Sequence, residues 1–509
     1  MKLRGVLFLL VALLGAEVWA AETKEEKLSS DQTQQRYTRK SITYLGMWIG
    51  PTVMRDVDYL ATAEKIIRSK IELPRFDYNA VSLTESYSLD DFVNNLREYV
   101  KKRAYDRAAA EAEFEARFKS NRVYFDDVDR IMNSAYLYQI KLSLLNVERG
   151  KCPDSKAEAL LLGCIPGAEG MIARVNASVT FYQANLTQEG APPYKLIKEV
   201  AHIPTVGFEE LALEVLANPE QLPAAMKSAG LKATAEATNF LGEFLSKGMK
   251  QIPDFQLKTP VQAALSDGVE FMLGKQEGVR MDDTYDVAEF DAAGDKTMLG
   301  YVKVRKIGDA TGEGGGNPSY AEKVKEKRKF VGGEQLFEHP MINLAVGLSF
   351  VFEFAAKDVL GATDSSGSVK PGFYPGVGLY VDYDLAPIIN IPELYVSVET
   401  DFLYIPNDSS LSVYLVHGLF GIKKKWYIES LVLAAGLRGG ISYYQVENYE
   451  DDSLGFGADG YLGLEYYFKP EFSIFAKVGG RFFTNPLQMM VELDPEMGAF
   501  AQVGAFLAF

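Results

Sequence analysis

From residue 341 onward, apolar side chains recur at every second position in run after run. That is the period of a strand with one face against an apolar medium. In the first run Ile342, Leu344, Val346, Leu348, Phe350, Phe352 and Phe354 share one face, and Asn343, Ala345, Gly347, Ser349 and Glu353 share the other. Further runs fall at 373–385, 394–404, 411–422, 426–444, 454–468, 472–483 and 499–509. The pattern predicts a transmembrane antiparallel β-barrel of about eight strands, with the apolar set on lipid and the small or charged set in a narrow interior. Besides Glu353, that inward set contains Gly376, Gly378, Asp382, Glu399, Asp401, Arg438, Asp459, Glu465, Lys477 and Arg481. Connections at 357–372, 445–453 and 484–498 are long and polar, whereas those at 423–425 and 469–471 are short. Short inner turns and long outer loops alternate this way in bacterial barrels, and an even strand number then places everything ahead of the barrel in the periplasm.

Before residue 341 the periods mix. Residues 41–49 read as a strand, and 56–70 carry Val57, Leu60, Ala61, Ala63, Ile66 and Ile67 at helical spacing. Ser88 can cap a helix through Phe92, Leu96, Tyr99, Val100 and Arg103 that extends to Phe118. A second helix is expected after Asp126, through Ile131, Ala135 and Tyr138, followed by two strands bracketing the cysteines. The later of these alternates cleanly, Met171, Ala173, Val175, Ala177, Val179 and Phe181 against Arg174, Asn176, Ser178, Thr180 and Tyr182. Residues 209–250 are helical in pattern, interrupted by Pro219, Pro223 and Gly230. Residues 284–290 and 298–307 form a hairpin signal around Gly294 and Asp295, and 311–329, with Gly314, Gly315 and Gly316, read as a mobile linker. The expected organisation is therefore an α/β (α+β) periplasmic region at 41–270, a small β module at 271–310, a linker at 311–340 and the barrel at 341–509.

The start of the chain adds a location. Lys2 and Arg4 precede an uncharged stretch at 5–15 and small residues at Ala20 and Ala21, which predicts a signal peptide at 1–20 and a polar, flexible lead-in at 21–40. No later stretch of about 20 apolar residues offers a membrane helix. In the oxidising compartment this implies, Cys152 and Cys164 are expected to form a disulfide. With 53 basic and 69 acidic residues the formal net charge is −16, which argues against nucleic acid or anionic headgroups as partners.

The tail, with its alternating runs and its last residue Phe509 on the face of Val503, Ala505 and Leu507, resembles the eight-stranded outer membrane protein A and X type. The resemblance implies outer-membrane lipid as the barrel's environment, Phe509 as a terminal insertion signal, and the barrel assembly machinery as a transient partner. Leu73, Pro74, Arg75, Phe76, Asp77, Tyr78 and Asn79, with Glu277, Gly278, Val279, Arg280, Met281, Asp282 and Asp283, resemble uncharacterised barrel proteins of Bacteroidota-type envelopes. That second resemblance implies a location and no activity.

Candidate chemistry is sparse. The chain holds three histidines, His202, His339 and His417, and has no HExxH, Walker or GxSxG motif. His417, with Asp408, Ser409 and Ser410 near it in sequence, is the one candidate for a barrel enzyme, set against the commoner role of a packed strand histidine. The inward charges suit a closed salt-bridged lumen better than an ion path, since eight strands leave an interior that side chains fill. Asp282, Asp283, Asp286, Asp291 and Asp295 depart from calcium-loop spacing and read as a solvated acidic hairpin. The sequence thus predicts a non-enzymatic outer-membrane protein, without metal or cofactor, whose closed barrel anchors a periplasmic domain that binds an unidentified envelope protein. A narrow pore or transporter, and a barrel enzyme using His417, are the alternatives.

Overall fold

The computed structural model describes residues 39–80, 89–103, 105–106, 109–110, 136–154, 164–185, 192–291, 295–309, 316–356, 371–405, 413–428, 430–446, 453–484 and 496–509. The expected signal peptide, most of the lead-in, the extension of the Ser88 helix to Phe118, the start of the helix after Asp126, and Asp408, Ser409 and Ser410 lie outside these residues. The chain divides into two compact units. One spans residues 37–257 with 276–278, and the other holds 258–275 and 279–509.

The first unit is α/β. Strands β1 (Lys40–Ile49), β2 (Phe76–Ala80), β3 (Tyr136–Lys151), β4 (Glu169–Ala184), β5 (Tyr194–Ala201) and β6 (Thr205–Glu210) form one sheet. It runs in the order β2-β1-β3-β4-β5, and β6 also pairs with β4. Helix α1 (Val57–Ile71) links the parallel strands β1 and β2, and the Asp56 carboxylate accepts from the Asp58 amide at 2.9 Å to cap its N-terminus. Among the described residues the unit also holds helices α2 (Leu89–Arg103), α3 (Leu213–Leu216) and α4 (Leu222–Lys250). Ala229, Ala233, Ala237, Leu241, Leu245 and Met249 of α4 recur every fourth residue and enter one core with Ile67, Ile71, Val175, Val179 and Phe181. The small residues let strand and helix backbones approach, and Thr205 donates from Oγ1 to the Ala237 carbonyl at 2.9 Å. Phe92, Val93, Leu96 and Tyr99 of α2 pack with Leu45 and Leu137 in a second cluster.

Two expectations change here. Tyr138 lies in β3, not in a helix, because Tyr136, Leu137 and Tyr138 are all buried. A strand covered on both faces loses the alternation that would mark it. Glu209 and Glu210 end β6, and the long helix starts only at Leu222.

Cys152 and Cys164 form a disulfide across 12 residues beside Phe208. Replacing both with serine is expected to lower the stability of this unit by ~2–3 kcal/mol, since a short loop is then free to open in the unfolded chain. Denaturant titration followed by fluorescence, with and without reductant on the wild type, checks this. A change under ~0.5 kcal/mol would mean the bridge constrains nothing that folding needs.

The second unit opens with a closed six-stranded barrel. Strands β7 (Lys258–Ala264), β8 (Gly268–Phe271), β9 (Thr284–Phe290), β10 (Lys296–Lys306), β11 (Ser319–Glu326) and β12 (Gln335–His339) close in the order β10-β11-β8-β7-β12-β9. Val261, Val269, Phe271, Val287, Val304 and Ala321 are buried within it. The stretch 311–340 is thus no linker throughout, because it holds β11 and β12. The charged sequence of β11, Ser319–Glu326, hides its strand character, since only Ser319, Ala321 and Val324 are buried. The small β module likewise begins at Lys258 and extends past residue 310.

Strands β13 (Leu344–Ala355), β14 (Gly372–Asp384), β15 (Leu394–Ile405), β16 (Val413–Ile428), β17 (Leu431–Val446), β18 (Ser453–Lys469), β19 (Phe472–Thr484) and β20 (Glu496–Ala508) form an eight-stranded antiparallel barrel. Each pairs with the next, and β20 closes on β13 from Ala345↔Ala508 to Ala355↔Gly498. The one-turn helix α5 (Ala386–Ile389) lies between β14 and β15. The turn expected at 423–425 is instead part of β16, which runs on to Ile428. Ile342, expected on lipid, is buried ahead of β13 and donates its amide to the Phe509 carbonyl.

Candidate functional site

Strand alternation turns one side chain in two into the eight-stranded barrel, and the interior charges meet in three tiers. Nearest the ends of β13 and β19 that lead to the long connections, Arg481 donates to Glu353 at 2.8 Å, to Asp401 at 2.9 Å and to Nδ1 of His417 at 2.5 Å. In the middle, Arg438 grips Asp459 through two bonds of 2.8 and 2.6 Å and also pairs with Glu399. Glu399 accepts further from Lys477 at 2.5 Å and from the Gln502 amide at 2.7 Å. Toward the short turns, Lys423 bonds Asp382 and, at 3.1 Å, Glu465, while Lys425 reaches Glu465 at 2.7 Å and the Tyr467 hydroxyl at 2.8 Å.

Aromatic rings fill the space between tiers. The Arg481 guanidinium lies 4.5 Å from the Phe500 ring centre, Arg438 4.7 Å from Tyr461, and Lys425 4.6 Å from Tyr395. A cavity between the middle and lower tiers measures about 20 Å³, room for a water or two, and another of about 50 Å³ lies below it, lined by Asp282, Lys303, Tyr395, Lys425 and Tyr467. Among the described residues, six lumen carboxylates (Glu353, Asp382, Glu399, Asp401, Asp459, Glu465) face five cations (Lys423, Lys425, Arg438, Lys477, Arg481), all buried. So near a balance, held by direct bonds, forms a packed plug.

All nine charges assigned to the lumen from sequence lie in this network. Lys423, Lys425 and Gln502 belong to it as well and escape the sequence reading. Three consecutive lysines imitate a turn, yet continuing the alternation from His417 through Leu419 and Gly421 places 423 and 425 inside. His417 is enclosed by Arg481, Glu353 and Asp401, with the Phe483 ring 4.7 Å away. Phe509 follows β20 and donates its amide to the Leu344 carbonyl at 2.8 Å. Among the described residues, no group of three or more His, Cys, Asp or Glu side chains is arranged to hold a metal.

The six-stranded barrel closes the lower end of this lumen. Its Tyr301 and Val324 pack with Ala345, Val432, Tyr467 and Phe506 of the larger barrel. Around them runs a second polar cluster. Arg305 of β10 pairs with Asp282, with Glu322 at 2.6 Å and with Glu393 at 3.0 Å, and Lys303 bonds Glu393 at 2.9 Å. The Tyr395 and Tyr427 hydroxyls donate to the same Glu393 carboxylate at 2.6 and 3.1 Å. Burial first, and the neighbouring Glu393 second, push Asp282 up to about 8. Glu393 is held well below the usual range by Lys303 and Arg305 in spite of its burial. Beside this cluster His339 bridges Asp286 at 2.9 Å and Glu471 at 2.8 Å. Burial opposes the charged ring, but the two carboxylates outweigh it and raise His339 to about 10. The acidic hairpin expected to be solvated is therefore partly structural, with Asp282 buried under Arg305 and Asp286 engaged by His339.

On the outside the same strands present Phe350, Leu437 and Leu462 at 65%, 64% and 68% exposure, amid many more exposed apolar side chains. A closed barrel with a filled polar interior and an apolar outer belt is a membrane-spanning β-barrel. No known protein family's sequence profile matches the chain, and no curated protein does. Among solved structures, the chain is similar to Neisserial surface protein A (14% identity, TM-score 0.26, covering 33% of this chain and 97% of that one). It is similar also to Ail, the attachment invasion locus protein of Yersinia pestis (13%, 0.23, 33% and 97%), and to the outer membrane protein OprG from Pseudomonas aeruginosa (11%, 0.20, 33% and 95%). The assignment as a membrane barrel rests on strand topology and on the apolar belt.

Proposed function

We propose that this is a non-enzymatic outer-membrane protein of a Gram-negative bacterium, whose plugged barrel anchors its preceding domains in the periplasm, where the α/β unit binds an envelope protein partner. The observation that carries the reading is the filled lumen with the six-stranded barrel bonded across its lower end, an arrangement that suits fixation better than passage. The strand ends support the location. Residues ahead of β13 enter at the end of the barrel where β16–β17 and β18–β19 are joined by two residues each, the shape of periplasmic turns.

Protease added to intact cells is expected to leave residues 40–339 whole and to cut the chain at the long connections within 357–370 or 485–495. Permeabilising the outer membrane should then expose the front part to degradation. Cleavage of the front part on intact cells would reverse the orientation and end the periplasmic reading.

A further inference from the structure

Residues 385–393, between β14 and β15, form an unusually apolar connection. Ile388, Ile389 and Ile391 are exposed at 64%, 43% and 46%, where a turn in water would favour polar residues. The connection is nonetheless held firmly. The Asp384 carboxylate accepts from the Ala386 amide at 2.9 Å, the Leu385 amide bonds the Leu394 carbonyl at 2.8 Å, and the Glu393 amide bonds Asp282 at 2.5 Å. Asn390 and Glu393 take left-handed backbone angles, φ 57° and 53°, a cost to non-glycine residues that persists only where surroundings enforce it. These angles go with a turn whose Glu393 carboxylate is buried in the junction while the isoleucines stand in the open.

The open side continues the barrel's lipid-facing surface. Tyr383 on β14 and Trp426 and Ile428 on β16 are exposed in the outward set. Lys424, between them, donates to the Pro392 carbonyl and holds its ammonium 5.8 Å from the Trp426 ring centre. Isoleucines beside an outward tryptophan and a lysine that turns to a backbone carbonyl make the composition of a membrane interface.

We infer that the β14–β15 connection is a foot that inserts Ile388, Ile389 and Ile391 into the inner phospholipid leaflet, at the boundary between headgroups and acyl chains. The inference rests on the reading of the larger barrel as membrane-spanning. The foot sets the depth of the barrel and, through Glu393, the position of the six-stranded barrel beneath it.

The test uses the full chain, with its own tryptophans replaced by phenylalanine, refolded into phosphatidylcholine vesicles. One variant carries Ile389→Trp and a second, as reference for the belt, Leu437→Trp. Lipids brominated near the headgroup are expected to lower Ile389→Trp emission at least about twofold, more than lipids brominated near the chain end, while iodide in water has little effect. Quenching by iodide and not by brominated lipid, with Leu437→Trp quenched by lipid, would place the turn in water and overturn the inference alone. Quenching by neither would mean that protein covers the turn, which overturns the inference equally. If Leu437→Trp also escapes brominated lipid, the membrane-barrel reading falls and the inference with it.

Discussion

Replacing Arg481 with leucine is expected to cost the eight-stranded barrel ~3–5 kcal/mol, because it strands buried carboxylates without their cation. Arg481 bonds Glu353 and Asp401 and stands 3.5 Å from Asp459, and all four side chains have no exposed surface. The pair energy itself is not what is lost. Desolvating both partners offsets most of their attraction, so the penalty comes from leaving the carboxylates charged in a dry interior. A triple variant, Arg481→Leu with Glu353→Gln and Asp401→Asn, should therefore recover most of the loss, though it restores no ion pair. Equilibrium urea unfolding in vesicles, read by the gel-mobility difference between folded and unfolded barrel, measures both. A loss below ~1 kcal/mol in the single variant would show that water reaches these groups and that the lumen is not the packed plug described.

How much of this can be read from the sequence depends on how evenly the two faces of a strand differ in solvent. Strand β4 has one dry and one wetter face, and its alternation from Met171 to Phe181 marks it plainly. Strand β3 is covered on both sides where it begins, and its run of buried Tyr136, Leu137 and Tyr138 imitates a helix segment. The barrel strands stand in another medium altogether. Lipid outside and ion pairs inside give maximal contrast, which is why nine interior charges are legible one by one. Lys423 and Lys425 are not, because their sequence neighbour Lys424 is an outward lysine that breaks the contrast at that point. The lower junction is hidden for a different reason. Glu393 belongs to a turn, Asp282 to a loop and Arg305 to a charge-rich strand, and only the closure of two barrels brings them together.

That junction is expected to loosen as pH rises, by about 3 kcal/mol between neutral pH and pH 10. His339, raised to about 10 between Asp286 and Glu471, stabilises the folded form fully below its unfolded pKa of about 6.5. That contribution fades as pH climbs through 10. Asp282, pushed up to about 8, acts in the same direction, since the folded state keeps a proton that the unfolded chain has already released. Both groups make the native state bind more protons than the unfolded one, so stability falls with rising pH. The magnitude is set below the full shift of His339 because the Glu471 side chain is 42% exposed and solvent screens that arm. Amide exchange in β10 and β12, corrected for the intrinsic pH dependence of exchange, reads the local opening. Protection should drop more than about a hundredfold from pH 7 to pH 10 in the wild type. In His339→Gln it should start lower and change less, the remaining slope below pH 8 belonging to Asp282. Protection that stays level or grows across this range would show that neither proton is held in the fold, and that the apolar packing of Tyr301 and Val324 and the ion pairs of Lys303 and Arg305 with Glu393 fix the six-stranded barrel to the larger one without them.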